Sequence, residues 1–276
     1  MAHPENESTG AEPQIQCATP EVEGMADWTN DVDDYISACL PKASACDYDR
    51  IETARKLTFH GKGEEALKCL DGVRDPTYKL WANYYFRARV DALLASGDRD
   101  GAQAERIKWL RYEPTLRLYE EIIDNAADDD AKQKLRAEAI EIAIKYNNVY
   151  IGMNFLVELD EFGQCAELIY AKLESEIDGS NYQELRPAIN TLRNVEPLAA
   201  VLLSRKILER ILNKQLSQYY RFAARDLVNC ANFSKKITNF RGYMGHDEYF
   251  AKIKATYGRQ YAFWKKFKEI NRTGRD

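Results

Sequence analysis

Helical periodicity is the feature that most constrains the fold of this 276-residue chain. From about residue 32 onwards, apolar side chains recur every three or four positions, which is the spacing of one face of an α-helix. Two to six residues separate most of the periodic segments, and connections this short place consecutive helices side by side and antiparallel. The sequence therefore predicts an all-α protein built from antiparallel helical hairpins.

Small residues recur where paired helices would meet. Successive alanines lie 36, 37, 27, 34 and 24 residues apart, so the hairpins repeat with an irregular period. We predict an α-solenoid in which each hairpin packs on the next, and the first two hairpins look like tetratricopeptide repeats. The repeating alanines are Ala66, Ala102, Ala139, Ala166, Ala200 and Ala224.

Prolines, glycines and polar turns indicate where individual helices begin and end. A long helix is expected from about residue 76 to 95, with Trp81, Tyr84, Tyr85 and Ala88 on its buried stripe. The segment 149–157 has the composition of a strand, but a lone strand would have no partner, so we predict helix there. Further helices are expected at about 162–177, 181–194, 197–213, 218–234, 246–256 and 258–270.

Charge is distributed unevenly along the chain. Residues 1–49 contain eleven acidic side chains and one lysine, whereas residues 235–276 contain eleven basic and four acidic ones. Residues 1–25 are also poor in large apolar groups, so we predict a flexible acidic tail there. We predict a single helical-repeat domain over 26–276, which ends in a basic, aromatic C-terminal cap at 235–276.

Composition and motifs exclude several classes of protein. No apolar run reaches the roughly 20 residues that span a membrane, and the first residues lack the features of a secretory signal. We therefore expect a cytoplasmic protein without membrane attachment, whose six cysteines are reduced and mostly buried. The three histidines are scattered, and no phosphate-binding loop, dinucleotide fingerprint or catalytic motif occurs. We expect no metal, no cofactor and no enzymatic activity.

Several short blocks resemble a bacterial all-helical family annotated only as a domain of unknown function. One block is Glu196-Pro197-Leu198-Ala199-Ala200, and another is Tyr220-x-x-Ala223-Ala224-Arg225-x-Leu227. The most specific is His246-x-x-Tyr249 followed by Gly258-Arg259-x-x-x-Phe263-Trp264. The family pattern has His and Lys where this chain has Tyr257 and Gln260. The resemblance covers residues 50 to 267, is strongest over 110–270, and implies a helical-repeat fold but no reaction.

Four residues of the C-terminal cap are candidates for partner binding: His246, Tyr249, Arg259 and Trp264. An arginine can bind a carboxylate or phosphate through two hydrogen bonds, and tyrosine and tryptophan offer rigid contact area. The same residues would also suit a capping hairpin, with His246 near a helix N-terminus and Trp264 covering the end of the array.

The predicted architecture favours a protein-protein interaction scaffold that presents a concave groove to a protein or peptide. One alternative is a nucleic-acid-associated factor, because basic and aromatic residues are interleaved in the C-terminal cap. The acidic isoelectric point of about 5.5 argues against that alternative. The other alternative is a regulatory subunit of a separately encoded enzyme or effector.

Overall fold

The computed structural model describes residues 46–273, which form thirteen α-helices and one short 3-10 helix and contain no strand. The predicted tail at 1–25 and the first apolar stripe near residues 32–40 lie outside these residues. The helices are α1 (Asp47–Phe59), α2 (Gly63–Asp71), α3 (Ala82–Ala95), α4 (Arg99–Tyr112), α5 (Leu116–Asp124), α6 (Asp129–Lys145), α7 (Val149–Glu158), α8 (Phe162–Lys172), α9 (Tyr182–Val195), α10 (Pro197–Asn213), α11 (Tyr220–Ser234), α12 (His246–Tyr257) and α13 (Tyr261–Thr273).

The described residues divide into two compact units, 46–112 and 113–273. The boundary between the two units falls inside the range 26–276, which the sequence analysis assigned to one helical-repeat domain. That assignment stays a prediction. In the described part of the N-terminal unit, α1 packs against α2 and α3, α2 packs against α3, and α3 packs against α4. The core of this unit is formed by Ile51, Leu57, Leu70 and Phe86 among others.

Two expectations about α3 are corrected by local hydrogen bonds and by its orientation. The helix starts at Ala82 rather than near residue 76, because the Asp75 carboxylate accepts bonds from Thr77 and the Asp75 carbonyl accepts one from the Trp81 indole. These bonds hold the preceding segment in turns. Tyr84 is 51% exposed, so its placement in the core was wrong. The buried side of α3 is centred on Ala82, Tyr85 and Phe86, which leaves Tyr84 on the solvent side.

In the C-terminal unit, helices contact both their neighbour in the chain and the next helix but one. Helix α7 packs on α9, α8 on α10, and α11 on α13, in addition to the consecutive pairs α9–α10 and α10–α11. Helices α10 and α12 run in the same direction. Glu209 on α10 lies 3.8 Å from Lys252 on α12, and Asn213, four residues further along α10, accepts a bond from Tyr257, five residues further along α12. This direction is the one that antiparallel consecutive helices require.

Helix α10 forms the centre of the C-terminal unit. Its predicted range of 197–213 is confirmed, with Pro197 at the first helical position, where the missing N–H costs nothing. Eight consecutive residues, 198–205, are buried, so the helix is enclosed on all sides rather than on one stripe. The prediction of helix at 149–157 is also confirmed by α7. Helix α8 ends earlier than predicted, at Lys172, because residues 173–177 form turns that bury Leu173 and Ile177.

Close backbone contact explains one glycine in this core. A Cβ atom at Gly152 in α7 would lie 2.2 Å from the carbonyl oxygen of Ala143 in α6, far inside van der Waals contact. A Cβ atom added to Gly163, in the first turn of α8, would have no other atom within 4 Å. The two helical glycines therefore differ sharply in what a methyl group would meet.

We expect Gly152→Ala to lower the free energy of unfolding by about 1–3 kcal/mol, because α6 and α7 must move apart. Gly163→Ala is the matched control and should be neutral or stabilising by up to about 1 kcal/mol, since alanine restricts the unfolded chain. Chemical denaturation monitored by circular dichroism measures both values. Equal effects of the two substitutions would contradict the close α6–α7 contact.

Candidate functional site

The four predicted site residues all lie on the terminal hairpin of α12 and α13. His246 is the first residue of α12, and Tyr249 follows one turn later. Arg259 lies in the turn between the two helices, and Trp264 lies in the second turn of α13. Their exposures differ sharply: Tyr249 is buried, His246 and Trp264 are half-buried, and Arg259 is exposed.

An arginine that the sequence did not single out holds this hairpin against α10. Arg205 is only 5% exposed, and its guanidinium donates to the carbonyl oxygens of Met244 at 2.8 Å and Gly245 at 3.3 Å. The same guanidinium lies 4.1 Å from the centre of the Tyr249 ring, a cation–π contact. Burial lowers the pKa of Arg205. The side chain thus fixes the segment that enters α12.

His246 lies in the electrostatic field of this buried arginine. Its Nδ1 atom is buried without a hydrogen-bond partner, and its ring lies 6.2 Å from that of Phe250. Burial lowers the pKa of His246, the charge of Arg205 lowers it further, and Asp247 partly opposes both effects. The folded protein therefore favours the neutral imidazole.

Tyr249 is a packing residue rather than an exposed contact. It is 2% exposed, and its hydroxyl is buried without completing a hydrogen bond. Burial raises the pKa of the phenol, and the neighbouring Glu209 carboxylate raises it further. The ring is therefore enclosed between α12 and Arg205, and no partner could reach it without moving the hairpin.

Trp264 belongs to an aromatic cluster that joins α12 to α13. Its ring meets those of Phe263, Phe267 and Phe250 at centroid distances of 5.0, 5.7 and 5.8 Å, all in edge-to-face geometry. Its indole N–H donates to the Tyr257 carbonyl at 3.0 Å. Three of the four candidate residues therefore have partners within the hairpin or on α10, and Arg259 alone of the four is exposed.

The two residues that depart from the resembled pattern also bind the hairpin to its neighbours. The Gln260 side chain accepts a bond from the Tyr220 hydroxyl at 2.8 Å and donates to the Leu212 carbonyl at 2.9 Å. The Tyr257 hydroxyl donates to Asn213 at 2.6 Å. Because Gln260 is held by these bonds in the turn between the helices, α13 begins at Tyr261 rather than at residue 258 as predicted.

Part of the positive charge of the C-terminal cap is paired. Arg241 donates two hydrogen bonds to Glu167 at 2.5 and 3.2 Å and stacks over the ring of Tyr170 at 4.6 Å. These residues line a cleft of about 360 Å³ between α8, the start of α10 and the loop after α11. On α13, Lys266 pairs with Glu269. Lys265, Lys268 and Arg272 are exposed on the same helix.

A second surface, which the sequence analysis missed, is formed by α9 and α11. Helix α11 exposes Arg221, Phe222 and Arg225, and the flanking edge of α9 presents Tyr182, Arg186, Asn190 and Arg193. We name these seven residues the α9–α11 face. The sequence did contain a signal for it, since 221, 222 and 225 are spaced as one helix stripe opposite the buried Ala223, Ala224 and Leu227.

Residues 46–273 contain buried thiols and scattered titratable groups, whose environments bear on catalysis and metal binding. Burial raises the pKa of Cys165 and Cys230 to about 12, so both thiols stay protonated and are inert at neutral pH. Within this part of the chain, no group of three or more His, Cys, Asp or Glu side chains is arranged to hold a metal ion. No helix in the same residues is both long and apolar enough to cross a membrane.

Comparison with known proteins places the chain in a family. The sequence model of DUF6880, a family of unknown function, matches residues 5–266. The chain belongs to this family. No curated protein and no solved structure matches the chain. Family membership therefore accords with the helical resemblance seen in the sequence and assigns no activity.

His246 should make the stability of the protein depend on pH. Its folded-state pKa lies below the ordinary value of about 6.5, so the unfolded chain binds more protons as the pH falls. We expect full stability above pH 6.5 and a progressive loss below it. His246→Gln should reduce this loss, measured as the free energy of unfolding at pH 7.5, 6.5 and 5.5.

The exposed His60, replaced by Gln in the same way, is the matched control for the loss of one imidazole. If the free energy of unfolding of His246→Gln depends on pH in the same way as that of His60→Gln and of the original chain, His246 is not the group whose titration destabilises the protein.

Arg205→Met should destabilise the protein by about 3 kcal/mol, because methionine fills similar space but leaves two carbonyl groups without their donor. Arg193→Met on the exposed side of α9 is the control, with an expected change within about 0.5 kcal/mol. Urea unfolding measures both. A similar small effect of the two substitutions would show that Arg205 does not hold α12.

Proposed function

We propose that this protein is a protein-interaction scaffold without catalysis of its own. In this proposal the helical hairpins within each unit stack as an irregular α-solenoid, with tetratricopeptide-like hairpins in the N-terminal unit. The C-terminal unit would offer a groove along its exposed helices to a protein or peptide partner in the cytoplasm.

The α9–α11 face is the observation that supports this proposal. Phe222 is 49% exposed and Tyr182 is 45% exposed, on neighbouring helices that also expose arginines. Tyrosine, phenylalanine and arginine are the residue types enriched at protein interfaces. The combination of these rings with exposed arginines on the same two helices, rather than the exposure of any one ring, is what supports a binding role.

A nucleic-acid-associated role is the second candidate, because α13 exposes cations beside an aromatic side chain. Tyr261 is 79% exposed at its first position, and Lys265, Lys268 and Arg272 follow on exposed positions. Bases stack on such rings and phosphates bind such cations. The net charge of −5 for the whole chain weighs against it.

A pull-down from native lysate with and without nuclease distinguishes the two. The full chain is immobilised, and an unrelated helical protein of similar isoelectric point is the control bait. We expect one protein to be retained in near-stoichiometric amount regardless of nuclease, and to bind the purified chain directly. Recovery of nucleic acid or a small metabolite with no protein would refute the scaffold proposal.

A further inference from the structure

Two side-chain contacts fix how α9 and α11 lie beside each other. The Arg186 guanidinium on α9 donates two parallel hydrogen bonds of 2.8 Å to the Asp226 carboxylate on α11. Near the other ends, Lys236 donates to Asn194 at 3.0 Å. The partners occur in the same order along both helices, so α9 and α11 run in the same direction with their starts side by side.

The Arg186–Asp226 pair also determines the charge of the surface above it. Asp226 is 2% exposed and would be a buried negative charge without its partner. Burial raises the pKa of this carboxyl, and the two bonds from Arg186 oppose that shift. Because the carboxylate lies underneath and is neutralised, the remaining charged groups of the α9–α11 face are all positive.

Three arginines of this face are free to bind. Arg193, Arg221 and Arg225 are exposed, and none of them forms an ion pair within the described residues. An arginine presents a planar fork of N–H donors that matches a carboxylate, and such pairs tighten when a partner excludes water. The face therefore lacks counter-ions that a bound ligand could supply.

The two exposed aromatic rings lie at one end of this positive surface. Tyr182 is one helical turn before Arg186, and Phe222 is one turn before Asp226. Since Arg186 and Asp226 are in contact and the helices are parallel, both rings lie at the same end of the face, at the starts of α9 and α11, where the Phe222 ring also lies 6.5 Å from that of Tyr219. A ligand that follows the helices would meet an apolar site at one end and arginines along its length.

Acidic side chains limit the positive surface on the opposite side of α9. Glu184 faces α7, where it accepts a bond from Asn154, and Glu158 is exposed on α7 itself. A polyphosphate chain needs a continuous basic track, and these carboxylates would repel it one helix away. The positive area is thus about two helices wide and, at 1.5 Å per residue over residues 182–193, about 17 Å long.

We propose that the α9–α11 face binds an acidic peptide segment of a partner protein in extended form, with an apolar residue of the segment seated at Tyr182 and Phe222. About five extended residues span 17 Å, which sets the length of the segment. Its carboxylates pair with Arg193, Arg221 and Arg225. This assignment rests on the proposed scaffold function and specifies the chemistry of its partner.

Fluorescence polarisation with the full chain tests this assignment. The probe is a fluorescein-labelled peptide of about ten residues, rich in Glu with one Phe near an end, so that it exceeds the predicted span. A peptide with Lys in place of every Glu and a labelled single-stranded oligonucleotide of similar length are the comparison probes. We expect saturable binding of the acidic peptide and none of the basic one.

Charge reversal on the face should weaken the acidic peptide specifically. Arg221→Glu combined with Arg225→Glu should raise its Kd by about tenfold or more, since both rim charges become repulsive. Lys134→Glu combined with Lys214→Glu changes net charge equally at exposed positions on α6 and beyond α10, and should leave the Kd within about twofold. Circular dichroism confirms that both variants fold.

The outcomes separate the two proposals. Equal binding of the acidic and basic peptides, or equal effects of the two double variants, overturns the assignment of this face to acidic peptides. A purified scaffold partner that still binds the Arg221→Glu, Arg225→Glu variant would preserve the scaffold proposal while refuting this face. Tighter binding of the oligonucleotide, with a steep salt dependence lost in the variant, would assign the face to nucleic acid instead.

Discussion

The burial of residues 198–205 in α10 is the constraint on which the C-terminal unit depends. Because this half of the helix is buried all round, other helices must cover each of its sides. Helices α9 and α11 pack against it as chain neighbours, α8 packs against it as well, and α12 is joined to it by Arg205, Glu209 and Asn213. The order of helices around α10 follows from this need for cover.

Polar groups on a buried helix must find partners, and their partners explain the terminal hairpin. Ser204 bonds back to the Ala200 carbonyl within α10, which satisfies its hydroxyl locally. Arg205 forms no ion pair with a carboxylate in residues 46–273 and instead bonds the carbonyls before α12. The charge of Arg205 lies beside His246, and burial together with that charge favours the neutral form of the imidazole. The C-terminal motif therefore joins the hairpin to α10, which agrees with the capping interpretation of three candidate residues.

Periodicity and turn chemistry predicted most of the helices because both act locally. Pro197 sets the start of α10, and Asp98 caps α4 by accepting a bond from the Gly101 N–H at 2.8 Å. The boundary errors have long-range causes. Helix α13 starts late because Gln260 bonds to residues more than 35 positions away, a contact that no local pattern contains.

The candidate site was harder to predict because a single sequence does not distinguish a buried aromatic or charged residue from an exposed one. Tyr249 and Trp264 have the composition of a recognition surface, yet both pack inside the hairpin. Arg225 and Asp226 are adjacent in the chain, but one is exposed and the other is buried against Arg186. Which side of α11 faces solvent depends on where α10 lies. The exposed face is therefore determined by the packing of the helices and could not be predicted from the sequence alone.

Neutralisation of a buried carboxylate links the packing of the unit to its charge. The Arg186–Asp226 pair joins α9 to α11 through two bonds at a buried position, where loss of one partner is costly. The same pair removes the only acidic group that α11 would otherwise add beside Arg221 and Arg225. One interaction thus holds two helices in register and leaves their common surface positive, so packing and recognition chemistry in this unit have the same origin.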